Sequence, residues 1–412
     1  MNILVIGNGF DLAHGLPTKY GDFLEFYKKV SKIYTLDETV KIDDYAQEDI
    51  WNWNMDLDIK KILLDAFDDR IFEEKYNWKM RNIVTTSNKV LDEFYNHTKK
   101  NIWMEYFLKC ESYVGENWID FEAEISKIIQ ILDEARFLIS SGVSVIDIQS
   151  EKKEILSFVL NLSEKTLQNA LANVKEIDIF IGLLSNELER LIRALEIYIV
   201  EFINKIALIK KNVDIKNITP NCVLSFNYSN TYERLYNKGE IEYDYIHGKA
   251  DINNTIESNN MVLGIDEYLP IDRKDKEISF IAFKKYYQRI YKGTGCEYKD
   301  WMYTIKESAK SIESKLREGY PEQIPFIKFT NDARHNLYIF GHSLDVTDKD
   351  ILRDLILNDN VYTKIFYFNK IDLASKIANL VKVIGQDELI RRSGGSTKTI
   401  EFKLQQDMVE QK

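Results

Sequence analysis

The chain opens with a short apolar run that breaks into glycines. Residues 1–6 are apolar and rich in β-branched side chains, which predicts a buried strand. Gly7 and Gly9 follow directly, and this spacing permits a tight turn and a close approach of the backbone to a ligand. A helix is expected next, with its first N–H groups aimed at an anion. The pattern predicts a phosphate loop, although Leu12 replaces the third glycine of the dehydrogenase fingerprint.

The middle of the chain has a helical pattern. Residues 37–213 contain no proline and few strand signals, which predicts a large helical insertion. An apolar stripe with steps of three and four residues predicts one long amphipathic helix. Its members are Ile177, Ile181, Leu184, Leu188, Leu191, Leu195, Ile199, Phe202, Ile206 and Ile209. We interpret this stripe as intramolecular core, with an interface between copies of the chain as the alternative.

After residue 213 apolar runs alternate with helical patterns. The runs predicted to be strands cover residues 222–226, 243–246, 261–265, 337–340 and 363–368. Strands that feed helices through polar or glycine residues are typical of βαβ units. We therefore expect an α/β fold, in which a doubly wound, Rossmann-like parallel sheet is interrupted by an α-helical insertion. The sheet domain would comprise residues 1–36 and 214–412, and the helical insertion domain residues 37–213.

Composition narrows the class of protein. The 412 residues carry a formal net charge of −11, which disfavours broad electrostatic binding of nucleic acid. Three cysteines, far apart in the sequence, form no zinc module and no disulfide framework, and this usage fits a reducing cytoplasm. The first apolar run lacks a basic leader, and no uncharged stretch reaches the ~18 residues that a membrane span needs. We expect a cytoplasmic protein without membrane contact.

Six separate motifs resemble those of the AbiH family of bacteriophage abortive-infection proteins. They lie at residues 6–18, 117–122, 226–231, 246–248, 285–289 and 341–345. The resemblance spans most of the chain and implies defence by shutting down the infected cell. It supplies no reaction by itself. A phage-derived trigger and assembly of copies through the helical insertion are further expectations.

A more distant resemblance is to sirtuins and sirtuin-like NAD hydrolases. The matching positions are Gly7, Gly9, Gly15 and Pro17, then residues 225–229, His247 with Gly248, and residues 341–346 and 368–371. Asp11 stands where that family has serine, Ser229 stands where it has aspartate, and its four zinc cysteines are absent. The resemblance therefore implies an NAD hydrolase of the defence type rather than a protein deacylase.

The residues support this chemistry when they are considered alone. Nicotinamide in NAD⁺ is already a cationic leaving group, so cleavage through an oxocarbenium-like ribose needs no general acid. A histidine with a pKa near ~6.5 can act as the base, and we assign this role to His247. Asn227 would orient water or a ribose hydroxyl. NAD⁺ is thus the expected substrate, and no metal is expected.

The predicted site lies at the carboxyl ends of the strands, where ligands bind in parallel sheets. Its catalytic residues are Asn227 and His247. Its nucleotide-contact residues are Gly7, Asn8, Gly9, Phe10, Asp11, His14, Pro17, Ser229, Gly341, His342, Ser343 and Asn369. Of these, residues 7–9 would hold the pyrophosphate, whereas Ser343 and Asn369 would contact a phosphate or the adenosine ribose.

Structural roles are the alternative for several of these side chains. His247 could satisfy a turn, Asn227 could form an Asx turn, and His14 could only pack. Likewise, the segment with His342 could lead into a helix cap.

Two other functions remain open. In a metal-dependent nuclease or RNA-targeting toxin, Asp120, Glu122 and a histidine would hold the metal. Structural use of the two carboxylates is the alternative. Lys284, Lys285 and Arg289 lie on a tyrosine-rich helix that could stack with nucleic acid or form a solvated face. The other function is a non-catalytic nucleotide sensor whose insertion contacts a partner.

Overall fold

The computed structural model describes residues 1–46, 55–73, 83–114, 120–142, 150–161, 174–237, 239–319, 335–396 and 398–410. The chain divides into two compact units. Unit 1 comprises Met1–Leu16, Ala207–Lys249 and Lys292–Lys412, and unit 2 comprises Pro17–Ile206 and Ala250–Tyr291. These bounds differ from the predicted domain bounds because residues 17–36 and 250–291 belong to unit 2 and residues 207–213 belong to unit 1. The division into a sheet domain and a helical insertion domain stays a prediction.

Ten strands occur in the described residues. They are β1 (Asn2–Ile6), β2 (Ile71–Glu73), β3 (Ile83–Thr85), β4 (Lys210–Asn212), β5 (Cys222–Ser225), β6 (Glu242–Tyr245), β7 (His335–Phe340), β8 (Val361–Tyr367), β9 (Ile400–Leu404) and β10 (Met408–Glu410). Two antiparallel pairs, β2 with β3 and β4 with β10, lie apart from the main sheet.

The α-helices follow the predicted division into a helix-rich middle and alternating ends. They are α1 (Asn8–Ala13), α2 (Tyr20–Thr35), α3 (Ile42–Ala46), α4 (Leu57–Asp68), α5 (Lys89–Thr98), α6 (Ile102–Val114), α7 (Phe121–Ser140), α8 (Ser150–Val159), α9 (Val174–Glu201), α10 (Val213–Lys216), α11 (Thr231–Tyr236), α12 (Lys285–Lys292), α13 (Tyr298–Gly319), α14 (Lys349–Ile356), α15 (Lys370–Ile384) and α16 (Gln386–Ser393). Short 3-10 turns cover Ile203–Lys205, Ile281–Phe283 and Val346–Asp348.

Unit 1 is built on a six-stranded sheet in which every neighbouring pair is parallel. The spatial order is β6-β5-β1-β7-β8-β9. Numbered along the chain, the strands of this sheet therefore run 3-2-1-4-5-6. The predicted mixed α/β class with a parallel sheet is confirmed.

Both faces of this sheet are covered, because alternate residues of β1 enter different cores. Ile3 and Val5 pack in one cluster with residues of α13, α14 and α15, whereas Leu4 and Ile6 pack in another with residues of α1 and α11. A strand buried on both faces is expected to be continuously apolar, as β1 is. The same burial explains why the sequence shows a run rather than an alternation.

Unit 2 is helical and its core is aromatic. The Phe107 and Phe121 rings stack at 4.0 Å, and Tyr20 stacks on Phe121 at 4.2 Å. The apolar stripe is buried from Ile177 to Ile199, which confirms its use as intramolecular core. However, α9 ends at Glu201, so the last three members of the stripe lie beyond the helix, and Ile209 is exposed.

Two strand predictions need correction. Residues 261–265 were expected to form a strand, but they contribute only an isolated bridge between Ile265 and Lys284 within unit 2. Conversely, β9 was not predicted. No helix in the described part of the chain combines the length and apolar content required to cross a membrane.

Candidate functional site

Two loops meet back to back at the carboxyl ends of β1 and β7. Gly7 N donates to Phe340 O at 3.2 Å, and Gly9 N donates to Gly341 O at 2.8 Å. A Cβ atom on Gly9 would lie 2.8 Å from Gly341 O, and one on Gly341, whose φ is +70°, would lie 2.1 Å from Phe10 N. The glycines therefore allow close approach between two backbone segments. Two of the amides expected to hold a pyrophosphate are engaged there, whereas Asn8 is exposed.

Asp11 forms a buried acidic centre next to this crossing. Its side chain is 1% exposed, and its Oδ2 accepts a hydrogen bond from Ser229 Oγ at 2.5 Å. Ser229 Oγ is also 3.0 Å from Thr231 Oγ1. Burial raises the pKa of Asp11 to about 6, although hydrogen bonding by Ser229 and Thr231, a polar contact with the Asn227 side chain and the charge of Arg234 act to lower it. Asp11 Oδ1 has no hydrogen-bond partner among the described residues.

Asn227 lies two residues after β5, and its backbone is fixed by Ser225. Ser225 Oγ accepts from Asn227 N and donates to Asn227 O, both at 3.1 Å. The side chain is only 5% exposed, yet neither its amide nitrogen nor its oxygen has a hydrogen bond of standard geometry within the described residues. The alternative of an Asx turn is therefore wrong. The amide is a buried donor and acceptor beside Asp11.

Two histidines face one aspartate at the ends of β6 and β7. His247 Nε2 lies 3.5 Å from Asp348 Oδ1, and His342 Nε2 lies 3.4 Å from Asp348 Oδ2. All three residues are buried: His247 is 7% exposed, His342 is 4% exposed and Asp348 is 8% exposed. The ring of Phe226 contacts both histidines, with centroid distances of 5.6 Å to His247 and 4.2 Å to His342. The predicted catalytic residues Asn227 and His247 each lie two residues beyond the end of a strand, and these strands, β5 and β6, are neighbours in the sheet.

Asp348 is a residue that sequence reasoning missed. It occupies the N-cap position of α14, where an aspartate normally accepts hydrogen bonds from the first turn, but its side chain makes no such bond. The carboxylate faces the histidines instead. From sequence, an aspartate in front of a helix predicts only a cap, so no signal distinguished it.

Other predicted contact residues serve the fold of unit 1. His14 has both ring nitrogens engaged, at 2.7 Å from Phe10 O and 2.7 Å from Tyr236 Oη. Its burial lowers its pKa. Phe10 is fully buried in the sheet core, and Asn369 caps α15 by accepting from Asp372 N. Ser343, the residue after His342, is exposed to solvent.

Pro17 is the first residue of unit 2, where its carbonyl accepts from Tyr198 Oη at 2.8 Å. The residues of the predicted metal site also belong to unit 2 and have structural roles there. Asp120 caps α7, and Glu122 forms an ion pair with Lys285 at 2.7 Å. Among the described residues, no three or more histidine, cysteine, aspartate or glutamate side chains are grouped to hold a metal.

The interpretation of the tyrosine-rich helix as a solvated face is wrong for its first lysines. Lys284 is 1% exposed and pairs with Glu267 at 2.8 Å, and Lys285 is similarly buried. Because their charges are neutralised inside unit 2, neither lysine offers a positive surface to nucleic acid. The first three residues of the motif at 117–122 lie outside the described residues.

Two cavities also lie in unit 2. One of about 370 Å³ is bordered by α7, α8 and residues 268–273, and one of about 540 Å³ is bordered by residues 38–43 and 67–72. Neither is lined by a residue of the predicted nucleotide site.

Comparison with known proteins identifies one family. The family model described as "Bacteriophage abortive infection AbiH" matches residues 3–369. No curated protein and no solved structure matches the chain. The matched range extends from β1 to the residue before α15 and thus includes the carboxyl ends of β1, β5, β6, β7 and β8.

Proposed function

The chain belongs to the AbiH family of bacteriophage abortive-infection proteins, and we propose that unit 1 is its effector, which binds NAD⁺ and hydrolyses the nicotinamide glycosidic bond. Family membership implies the role in phage defence. The reaction is a proposal that rests on the side chains gathered at the carboxyl edge of the sheet. Hydrolysis of NAD⁺ is also the leading expectation from the sequence, and the structure allows the proposal to name the atoms involved.

The sheet itself supports a nucleotide ligand. Its strand order, 3-2-1-4-5-6, and its two covered faces are typical of doubly wound, Rossmann-like sheets. In such sheets the ligand occupies the crevice where the strand order reverses. Here the reversal lies between β1 and β7, and Gly7 and Gly341 follow these two strands.

The observation that carries the proposal is a set of buried polar atoms on Asp11 and Asn227 that make no hydrogen bond of standard geometry within the described residues. An unmade hydrogen bond at a buried polar atom costs about 1–3 kcal/mol, so these atoms are suited to a ligand. Together they offer two acceptors, Asp11 Oδ1 and Asn227 Oδ1, and one donor, Asn227 Nδ2. The vicinal hydroxyls of a ribose can donate to both oxygens and accept from the nitrogen.

The chemistry then requires a base near the sugar. Water adds to C1′ of the nicotinamide ribose as the bond to the pyridinium nitrogen breaks, and the electron pair of that bond leaves with neutral nicotinamide. His247 takes the proton of the attacking water and later releases it to solvent, which gives nicotinamide, ADP-ribose and a proton. Asn227, which follows the neighbouring strand β5, orients the ribose hydroxyl or the water.

The phosphate contacts are proposed for the loop after β1 and the loop after β7. The amides of Gly7 and Gly9 donate to carbonyls of Phe340 and Gly341, so they are engaged within the fold. We therefore assign the phosphate contact of the first loop to Asn8, which is exposed. Ser343 is the corresponding position after β7, and Asn369 contributes from the end of β8. A phage-derived trigger and assembly of copies remain proposals, although the stripe on α9 is already buried within unit 2.

The test is chromatography of NAD⁺, nicotinamide and ADP-ribose after incubation with the purified chain, and in infected cells whose growth the chain arrests. We expect NAD⁺ to fall and nicotinamide to appear in equal amount. Growth arrest at unchanged NAD⁺ would overturn the proposal. Tight nucleotide binding without turnover would indicate the nucleotide sensor instead, and chelator-sensitive degradation of RNA or DNA would indicate the nuclease.

A further inference from the structure

We infer that Asp348 and His342 form a positioning pair that sets the tautomer of His247, so that His247 presents Nδ1 as the base. This inference deepens the proposed function and rests on it for its meaning in catalysis. The geometry that carries it can be measured without any turnover.

The proton on His342 is fixed from both sides. Leu344 N donates to His342 Nδ1 at 2.9 Å, so Nδ1 is an acceptor and the ring proton resides on Nε2. That Nε2 faces Asp348 Oδ2 at 3.4 Å. His342 thus orients one oxygen of the carboxylate and leaves the other for His247.

The backbone directly after this contact is strained. Leu344 is fully buried and has a φ of +60°, a conformation that costs a non-glycine residue free energy and that clusters at functional sites. The Leu344 amide precedes this torsion, so the bend directs the segment that follows, which leads into the 3-10 turn Val346–Asp348. Asp348 in turn makes no cap bond to α14. Two local structural preferences are given up within five residues, in the segment that joins His342 to Asp348.

The second oxygen of Asp348 determines the tautomer of His247. A carboxylate only accepts hydrogen bonds, so the ring nitrogen that faces it carries the proton. His247 Nε2 lies 3.5 Å from Oδ1, an ion-pair contact without a hydrogen bond of standard geometry. The negative charge of the carboxylate favours the proton on this nitrogen over a lone pair, so the lone pair of His247 is placed on Nδ1. In the related arrangement of an aspartate behind a catalytic histidine, loss of the carboxylate leaves the geometry but gives the wrong tautomer.

The experiment uses the full chain with histidines labelled with ¹³C at Cδ2, whose chemical shift distinguishes the two neutral tautomers. The chain has five histidines, so single His→Gln variants assign the signals of His247 and His342. In the wild type we expect both to carry the proton on Nε2. In Asp348→Asn, His247 should change to a mixture or to the Nδ1–H form. His342 should stay unchanged because Leu344 still donates to it.

The kinetic arm measures NAD⁺ hydrolysis by the same proteins. Asp348→Asn should lower kcat by at least roughly tenfold with KM within about threefold, and Asp348→Glu should restore part of kcat. Asp345→Asn is the matched control, because Asp345 caps the adjacent 3-10 turn through Thr347 N and should change neither readout. Far-UV circular dichroism checks folding. If Asp348→Asn loses its fold, the Cδ2 chemical shift of His247 in Asp348→Glu is compared with that in Asp345→Asn. A difference between these two variants supports the positioning pair, and equal shifts contradict it.

The two proposals fail differently. If the wild type leaves NAD⁺ intact but His247 changes tautomer in Asp348→Asn, hydrolysis is wrong and the positioning pair stands. The opposite outcome is a wild type that hydrolyses NAD⁺ and an Asp348→Asn variant in which the tautomer of His247 and the kcat are both unchanged. In that case the positioning pair is wrong and hydrolysis stands.

Discussion

Ser229 Oγ donates a 2.5 Å hydrogen bond to Asp11 Oδ2 although the two residues are 218 positions apart in the chain. The bond joins α1, which follows β1, to the segment that follows β5, inside unit 1. It gives a buried carboxylate one strong donor, but the pKa of Asp11 is still raised from 3.8 to about 6 because burial outweighs it. This balance makes the site sensitive to pH.

Asp11→Asn should make the stability of the chain less dependent on pH. A carboxyl whose pKa is higher in the folded state favours folding only when it is protonated, so its contribution is lost as pH rises from about 4 through about 6. At pH 8 the ionised form is disfavoured by about 3 kcal/mol, since one pKa unit corresponds to about 1.4 kcal/mol. Urea unfolding should show the variant more stable than wild type at pH 8 and similar at pH 4.

Ser229→Ala is the control of opposite sign. Removing the donor leaves the ionised carboxylate with less compensation, so this variant should lose roughly 1–3 kcal/mol at pH 8 and less at pH 4. Parallel stability curves for wild type, Asp11→Asn and Ser229→Ala between these pH values would contradict the assignment of the raised pKa to Asp11.

The sequence predicts the parallel sheet because its central strands are apolar runs followed by glycine or polar residues. It fails where a distant side chain replaces a strand partner. The apolar residues 261–265 are buried without joining a sheet, since Gln288 both donates to Leu263 O and accepts from Leu263 N, at 3.1 and 3.0 Å. A contact across 25 residues that depends on tertiary packing leaves no periodic signal.

For the candidate site, strand ends were predictable and side-chain partners were not. Asn227 and His247 follow apolar runs, and the rule that ligands bind at carboxyl ends selected them. The role of Asp348 and the burial of Lys285 were not predicted. An aspartate before a helix is usually a cap, and a lysine on a helix is usually exposed to solvent. Which use applies depends on the group that faces them in space, and one sequence does not contain that information.

Gly9→Ala should destabilise the chain even if no ligand binds. Its Cβ would lie 2.8 Å from Gly341 O and 2.9 Å from Gly341 Cα, so one of the two loops must move. Such overpacking costs roughly 1–3 kcal/mol. Thermal unfolding measures the change. Gly182→Ala is the matched control, since nothing lies within 4 Å of its Cβ on α9, and it should stabilise by up to about 1 kcal/mol. Equal effects of the two substitutions would mean that the loop crossing is loose.

Glu122→Ala should destabilise unit 2 by breaking its ion pair with Lys285. The lysine side chain is 5% exposed and the glutamate 18%, so removal of the carboxylate leaves a buried positive charge poorly compensated. A loss of roughly 3 kcal/mol is expected in urea unfolding. The double variant Glu122→Leu with Lys285→Met should recover most of it, because both charges of the pair are then removed together. Loss of activity with unchanged stability would instead favour the metal-site alternative for Glu122.

Asn227→Ala and His247→Ala should abolish NAD⁺ loss and growth arrest while the fold is kept. Loss of the base is expected to lower turnover by roughly 10²–10⁴-fold. Asn227→Ala also removes two buried polar atoms that have no partner among the described residues, which offsets the volume it loses, so stability should change by less than about 1 kcal/mol. The exposed Asn237→Ala, in the same unit, is the control and should keep full activity. A folded Asn227→Ala or His247→Ala variant that still depletes NAD⁺ like Asn237→Ala would remove these residues from the active site, because neither would then contribute to the transition state.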